Sequence, residues 1–141
     1  MIDAPIDHVA IVVADLESAI ALYTRTLGFT QIYRETIPDQ AVEAVGLRAG
    51  DSIIELLRPL CDDSPVARFR GEAASKLHHT AYRVADIVAE LARLKAGGVR
   101  LIDECPRRGA HGNRIAFLHP KSTGGVLIEL CQPAGDVRDR L

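Results

Sequence analysis

Two histidines and two glutamates carry the clearest chemical pattern in this chain. His8 and His79 stand 71 residues apart, Glu55 and Glu129 stand 74 apart, and each histidine precedes its glutamate. The surroundings repeat as well. His8-Val-Ala-Ile-Val-Val-Ala-Asp-Leu matches His79-Thr-Ala-Tyr-Arg-Val-Ala-Asp-Ile, and Ile53-Ile-Glu-Leu-Leu resembles Leu127-Ile-Glu-Leu-Cys. Each half therefore reads as one copy of a duplicated unit. Two imidazoles and two carboxylates at one centre form a mixed nitrogen and oxygen donor set for a six-coordinate divalent ion, with two positions left for water or substrate. Strand alternation puts Glu55 on one face with Ile53 and Leu57, and Glu129 with Leu127 and Cys131. An ionised carboxylate among apolar neighbours is costly to desolvate unless a cation or hydrogen-bond donors compensate it. Taken singly, each residue has a plainer explanation: a glutamate on a strand edge beside solvent, or a histidine satisfied within the core. Matched positions in two halves favour the metal. His78 points away from His79, and His111 and His119 suit hydrogen-bonding roles better than ligation.

Such groups need strands to hold them and helices to cover the strands. Residues 6–13 are rich in β-branched types and short enough for a strand. Asp15 can cap a helix by accepting from first-turn amides; Leu16, Ile20, Tyr23 and Leu27 follow at helical spacing, and Gly28 suits its left-handed exit. The second half repeats the plan with Asp86 as cap, Ile87, Leu91 and Leu94 as the stripe, and Gly97-Gly98 as the stop. Further strands are expected over residues 29–35, 42–47 and 52–57, and again over 99–103, 113–118 and 125–131. Between the halves, Ser64-Pro65 reads as a cap and first helical residue, with Gly71 as the end. The result is one domain of two βαβββ modules: module one over about residues 4–58, a helical connector over about 59–75, and module two over about 76–132.

The chain as a whole sets limits on function. At 141 residues, 48% apolar and with a net charge of −2, it can bury a real core and carries no nucleic-acid footprint. No apolar run approaches the roughly 20 residues of a membrane span, and the stretch from Met1 to His8 lacks the basic-then-apolar pattern of a signal peptide. Three scattered cysteines, Cys61, Cys105 and Cys131, fit reduced thiols in a cytoplasmic protein, with Cys131 in the core.

Over essentially its whole length the chain resembles the vicinal-oxygen-chelate (glyoxalase/bleomycin resistance/dioxygenase) superfamily, and within it the methylmalonyl-CoA epimerase family. The stretches that carry the likeness are Ile6-Asp-His-Val-Ala-Ile, Asp63-Ser-Pro-Val-Ala-Arg-Phe, Leu77-His-His-Thr-Ala and Gly109-Ala-His-Gly. The longest is Ile115-Ala-Phe-Leu-His-Pro-Lys-Ser-Thr-Gly-Gly-Val-Leu-Ile-Glu-Leu. The resemblance implies an α+β fold in which the two tandem modules form a curved eight-stranded mixed sheet around a metal cleft. It further implies a homodimer and one divalent ion per chain on His8, Glu55, His79 and Glu129. Cobalt is the first expectation for that ion, with manganese, nickel, zinc or magnesium after it. The implied substrate is a small acyl-CoA, with neither nucleic acid nor membrane as partner. The implied reaction interconverts (2R)- and (2S)-methylmalonyl-CoA: the C2 proton is removed, a metal-stabilised enolate forms, and a proton returns to the other face. The chemistry is consistent with the donor set, because a malonyl thioester offers two oxygens in a 1,3 relation to one Lewis-acidic ion.

Epimerisation needs acid–base groups on both faces of the substrate. Some epimerases place a base glutamate on a strand of module one at a position that is Ala44 here, with Glu43 one residue earlier and facing the other way. Glu55 stands where such relatives hold glutamine. The expected assignment is therefore Glu129 as one acid–base group and Glu55, or a water it orients, as the other, with Glu43 as fallback. Lys121, Arg107, Arg108 and Arg114 are candidates for the coenzyme A phosphates, although solvated surface charge is their plainer reading. Three rivals share the fold. A glyoxalase I-type lactoylglutathione lyase has a similar ligand pattern, but the His119-Pro-Lys-Ser-Thr-Gly-Gly stretch argues against it. Ring-opening dioxygenases use two histidines and one carboxylate, and non-catalytic binding modules have usually lost the ligands that this chain keeps.

Overall fold

The computed structural model describes residues 1–135, and among them eight strands and three α-helices follow the expected order. They divide into two compact units. One runs from His8 to His78; the other joins Met1–Asp7 to the chain from His79 onward. The boundaries fall inside β1 (Ile6–Val13) and β5 (Ser75–Arg83). The first unit holds α1 (Leu16–Ala21), β2 (Thr30–Ile37), β3 (Val42–Ala49), β4 (Ser52–Pro59) and α2 (Pro65–Arg70). Its strands lie in the order β2-β3-β4-β1, antiparallel except that β1 runs parallel to β4. The second unit holds α3 (Ile87–Ala96), β6 (Arg107–Arg108), β7 (Arg114–Leu118) and β8 (Ile128–Gln132). Its order is β5-β8-β7-β6, with β5 parallel to β8. The α+β arrangement of two tandem βαβββ modules, with mixed strands and flanking helices, is thus the fold of this chain.

Local chemistry explains most of the elements. Asp15 and Asp86 cap α1 and α3 by accepting from Ser18 and Ala89 amides at 3.0 and 3.1 Å. Ser64 caps α2 through its hydroxyl, which accepts from Ala67 at 3.1 Å, and Gly71 closes that helix with φ of 61°. Each unit then buries one sheet face under its main helix. Val13, Leu16, Val45, Leu47 and Leu56 form that core in the first unit. Val84, Ile87, Leu91, Ala116, Leu118 and Leu130 form it in the second.

Two elements depart from expectation. The helix from Leu16 does not stay α-helical to Leu27, since residues 22–26 form a π turn in which the Leu27 amide donates to the Leu22 carbonyl. The wider turn swings Leu27 out of the stripe to 53% exposure, and Phe29 packs against Tyr23 instead. The strand expected over residues 99–103 is also missing. Only Leu101 bridges to Leu118, and the Asp103 carboxylate accepts the Phe117 amide at 2.8 Å, a donor that a regular strand would have paired with backbone. Pairing with β7 resumes at β6, beyond Pro106.

Candidate metal centre

Each unit builds the same arrangement from its own strands. In the first, Ala10 lies opposite Glu55 on the parallel pair β1–β4, so His8, two residues earlier, shares the Glu55 face. In the second, Ala81 lies opposite Glu129 on β5–β8, and His79 again precedes the alanine by two. Both alanines are completely buried and leave room for the imidazole beside the carboxylate. His8 Nε2 stands 3.9 Å from Glu55 Oε1, and His79 Nε2 stands 3.2 Å from Glu129 Oε2. All four side chains are at most 6% exposed. Each unit therefore holds a buried carboxylate with an imidazole nitrogen turned toward it. Hard oxygen and borderline nitrogen donors, dry and adjacent, are a set that fits a first-row divalent ion.

The groups around the two pairs differ. In the second unit Phe117 sits directly opposite Glu129 on β7, with its ring edge-on to His79 at a centroid distance of 5.1 Å. Arg107 lies over the same ring at 5.6 Å and 3.2 Å from Asp103, an ion pair by distance rather than an aligned hydrogen bond. Arg107 pairs with Ile115 and so falls on the Glu129 face, whereas Arg108 and Arg114 pair with each other on the face toward α3. Lys121 is exposed in a short 3-10 turn, its amide donating to His119 Nδ1. Of the four basic candidates, only Arg107 shares a sheet face with Glu129.

In the first unit the register separates the two carboxylates considered for acid–base work. Glu43 lies opposite Arg58 on the α1 side of the sheet, away from the Glu55 face. Arg34 and Arg58 each approach its carboxylate, at 3.0 and 3.1 Å, and Arg34 also reaches Glu17 on α1 at 2.7 Å. The Arg34 hydrogen bond, with that from Arg58, holds the Glu43 carboxyl below the usual carboxylate range despite partial burial, which pushes the other way. A carboxylate held in this way is a poor proton acceptor on the wrong side of the sheet. Sequence reasoning missed Tyr33, whose hydroxyl donates to Glu55 Oε2 at 2.6 Å, and Glu35, which lies opposite Ala44 and so also stands on the Glu55 face.

With the geometry established, comparison with known proteins gives the class. The profile of the glyoxalase/bleomycin resistance protein/dioxygenase superfamily matches residues 7–117, and the chain belongs to that superfamily. Within it, homology to methylmalonyl-CoA epimerases runs along nearly the whole chain. The ethylmalonyl-CoA/methylmalonyl-CoA epimerase of Cereibacter sphaeroides is 43% identical over 129 residues, spanning 90% of this chain and 96% of that protein. The crystal structure of methylmalonyl-CoA epimerase from Mycobacterium tuberculosis superposes with a TM-score of 0.90 at 38% identity, covering 98% and 93% of the two chains. A methylmalonyl-CoA epimerase solved in complex with methylmalonyl-CoA and NH4+ gives 0.87 at 36% identity, covering 94% and 96%.

Proposed function

We propose that this protein is a metal-dependent epimerase that interconverts (2R)- and (2S)-methylmalonyl-CoA. The observation that carries the reading is the twice-built imidazole–carboxylate pair, each buried on the parallel strands of its own module, in a chain homologous throughout to epimerases of that substrate. His8, Glu55, His79 and Glu129 together hold one divalent ion, cobalt in our reading. When bound, the ion supplies Lewis-acid stabilisation of the negative charge that develops on the thioester oxygen.

The chain's own residues move the proton. Glu129 takes the C2 proton from one face, and Glu55, or a water that it orients, delivers a proton to the other. Burial serves both steps, because excluding bulk water leaves the two carboxylates, rather than random solvent, to decide the face of protonation. The Phe117 edge restrains the His79 ring and so fixes where its Nε2 points. Arg107, on the Glu129 face, is the basic candidate best placed for the acyl-CoA; Lys121 is left for its phosphates, and Arg108 and Arg114, on the opposite face, would meet them only beyond the sheet edge. The reading extends to a homodimer, and to the cytoplasm, in keeping with three cysteines that form no disulfide.

The test is incubation of metal-loaded protein with (2S)-methylmalonyl-CoA in deuterated water, in parallel with the methylglyoxal–glutathione adduct. Deuterium at C2 together with the opposite epimer is the expected outcome. Turnover of the adduct alone would make the chain a lactoylglutathione lyase, and binding without turnover would make it a sequestering module. Normal epimerisation by Glu55→Gln would reject the role given to that carboxylate.

A further inference from the structure

Glu55 has a tyrosine hydroxyl as its neighbour. Tyr33 on β2, Gly46 on β3 and Glu55 on β4 occupy one rung: Tyr33 pairs with Gly46, and Gly46 pairs with Glu55. All three therefore face the same way. Neighbouring strands lie about 4.8 Å apart, so β2 and β4 are separated by roughly twice that. A tyrosine can bridge the gap only by lying across the middle strand, and it does. A Cβ built on Gly46 would overlap Cε1 and Cζ of the Tyr33 ring and stand 2.6 Å from Cδ1. Any side chain at position 46 evicts the ring from its present place.

A second feature sets the same contact. The β2–β3 register slips between Gln31 and Tyr33: Gln31 pairs with Leu47, Tyr33 with Gly46, and Ile32 is the extra residue of a bulge. Without that bulge Ile32 would sit opposite Gly46, and Tyr33 would turn to the α1 face. Bulge, glycine and tyrosine thus converge on one hydrogen bond of 2.6 Å. The second unit differs at the matching position. There the middle-strand position opposite the carboxylate holds Phe117, whose ring offers no hydroxyl.

We infer that Tyr33 is a positioning residue that holds Glu55 so that a single oxygen, Oε1, serves the metal. The hydroxyl occupies Oε2, while Oε1 is the atom turned toward His8 Nε2. Tyr33 acts through Glu55, in the way hydrogen-bond partners of metal ligands fix their orientation. The inference rests on the metal reading above and adds a residue to it.

Co2+ titration by calorimetry, with the visible absorption of the bound ion recorded in parallel, tests the role without reference to turnover. Tyr33→Phe is expected to weaken Co2+ binding by about 10- to 100-fold and to alter the cobalt spectrum. Gly46→Ala, which displaces the ring but keeps the hydroxyl, should act in the same direction. The decisive comparison is a cycle with Glu55→Gln: once Glu55 is replaced, removing the Tyr33 hydroxyl should cost little further affinity. Equal affinity and spectrum in wild type and Tyr33→Phe would overturn the role, as would an undiminished loss from Tyr33→Phe in the Glu55→Gln background. A wild-type chain that takes up no Co2+ would instead overturn the metal reading, and this inference with it.

Discussion

Replacing Glu43 by glutamine should separate stability from chemistry in module one. Glu43 is the fallback base by sequence, yet it lies on the α1 side of the sheet between Arg34 and Arg58. Its side chain is 18% exposed, and those of the two arginines are 37% and 42% exposed, so water screens much of the attraction. Partly exposed pairs contribute about 0.2–1 kcal/mol each. The glutamine keeps one oxygen as acceptor, and the net loss at neutral pH should be about 1 kcal/mol, or a fall in Tm of about 3 °C for a domain of this size. The pH dependence has a definite sign. Because the Arg34 hydrogen bond depresses the carboxyl in the folded state, its contribution is complete above the unfolded value near pH 4.3 and fades as pH falls through the lower folded value. Urea melts at pH 7 and pH 5 should therefore show the same gap between wild type and variant, and the gap should close below about pH 4. Deuterium incorporation at C2 of methylmalonyl-CoA should be unchanged at pH 7. Loss of that exchange with an unchanged Tm would refute this placement of Glu43 and make it the base.

Two further outcomes follow from the packing. Ser64→Ala removes the cap of α2 and should destabilise the protein by about 1 kcal/mol in urea unfolding, with no effect on metal binding, because the loss is confined to the Ala67 amide. Phe117→Leu takes the ring edge from His79 and the ring face from Arg107. It should cost about 1–3 kcal/mol of stability and, by freeing the imidazole, weaken Co2+ binding measurably; an unaltered affinity would show that Phe117 does not restrain His79.

The parts of this protein that were legible in its sequence are those written in residues one or two positions apart. The histidine–x–alanine and apolar–glutamate–apolar runs could be matched because strand alternation is local, and the caps at Asp15, Ser64 and Asp86 depend on amides within three residues. The opposite orientation of Glu43 was legible for the same reason, since it sits one residue from Ala44. Tyr33 was not. Its place on the Glu55 face depends on an extra residue at Ile32, and nothing in the sequence of β2 announces a bulge. Leu27 kept its helical spacing on paper, but the π turn consumed one more residue than the stripe allows. The face taken by Arg107 as against Arg108 and Arg114 was hidden likewise, because β6 begins beyond Pro106 rather than at Val99 and its parity could not be counted from the helix.

Equilibrium dialysis against Co2+, followed by metal analysis of the protein, tests the central claim most directly. Ligands drawn from both modules onto a single ion predict one Co2+ per wild-type chain, and none retained by either His8→Ala or His79→Ala at concentrations that saturate the wild type. Two ions per wild-type chain, or one ion kept by both variants, would mean that the two imidazole–carboxylate pairs do not act together.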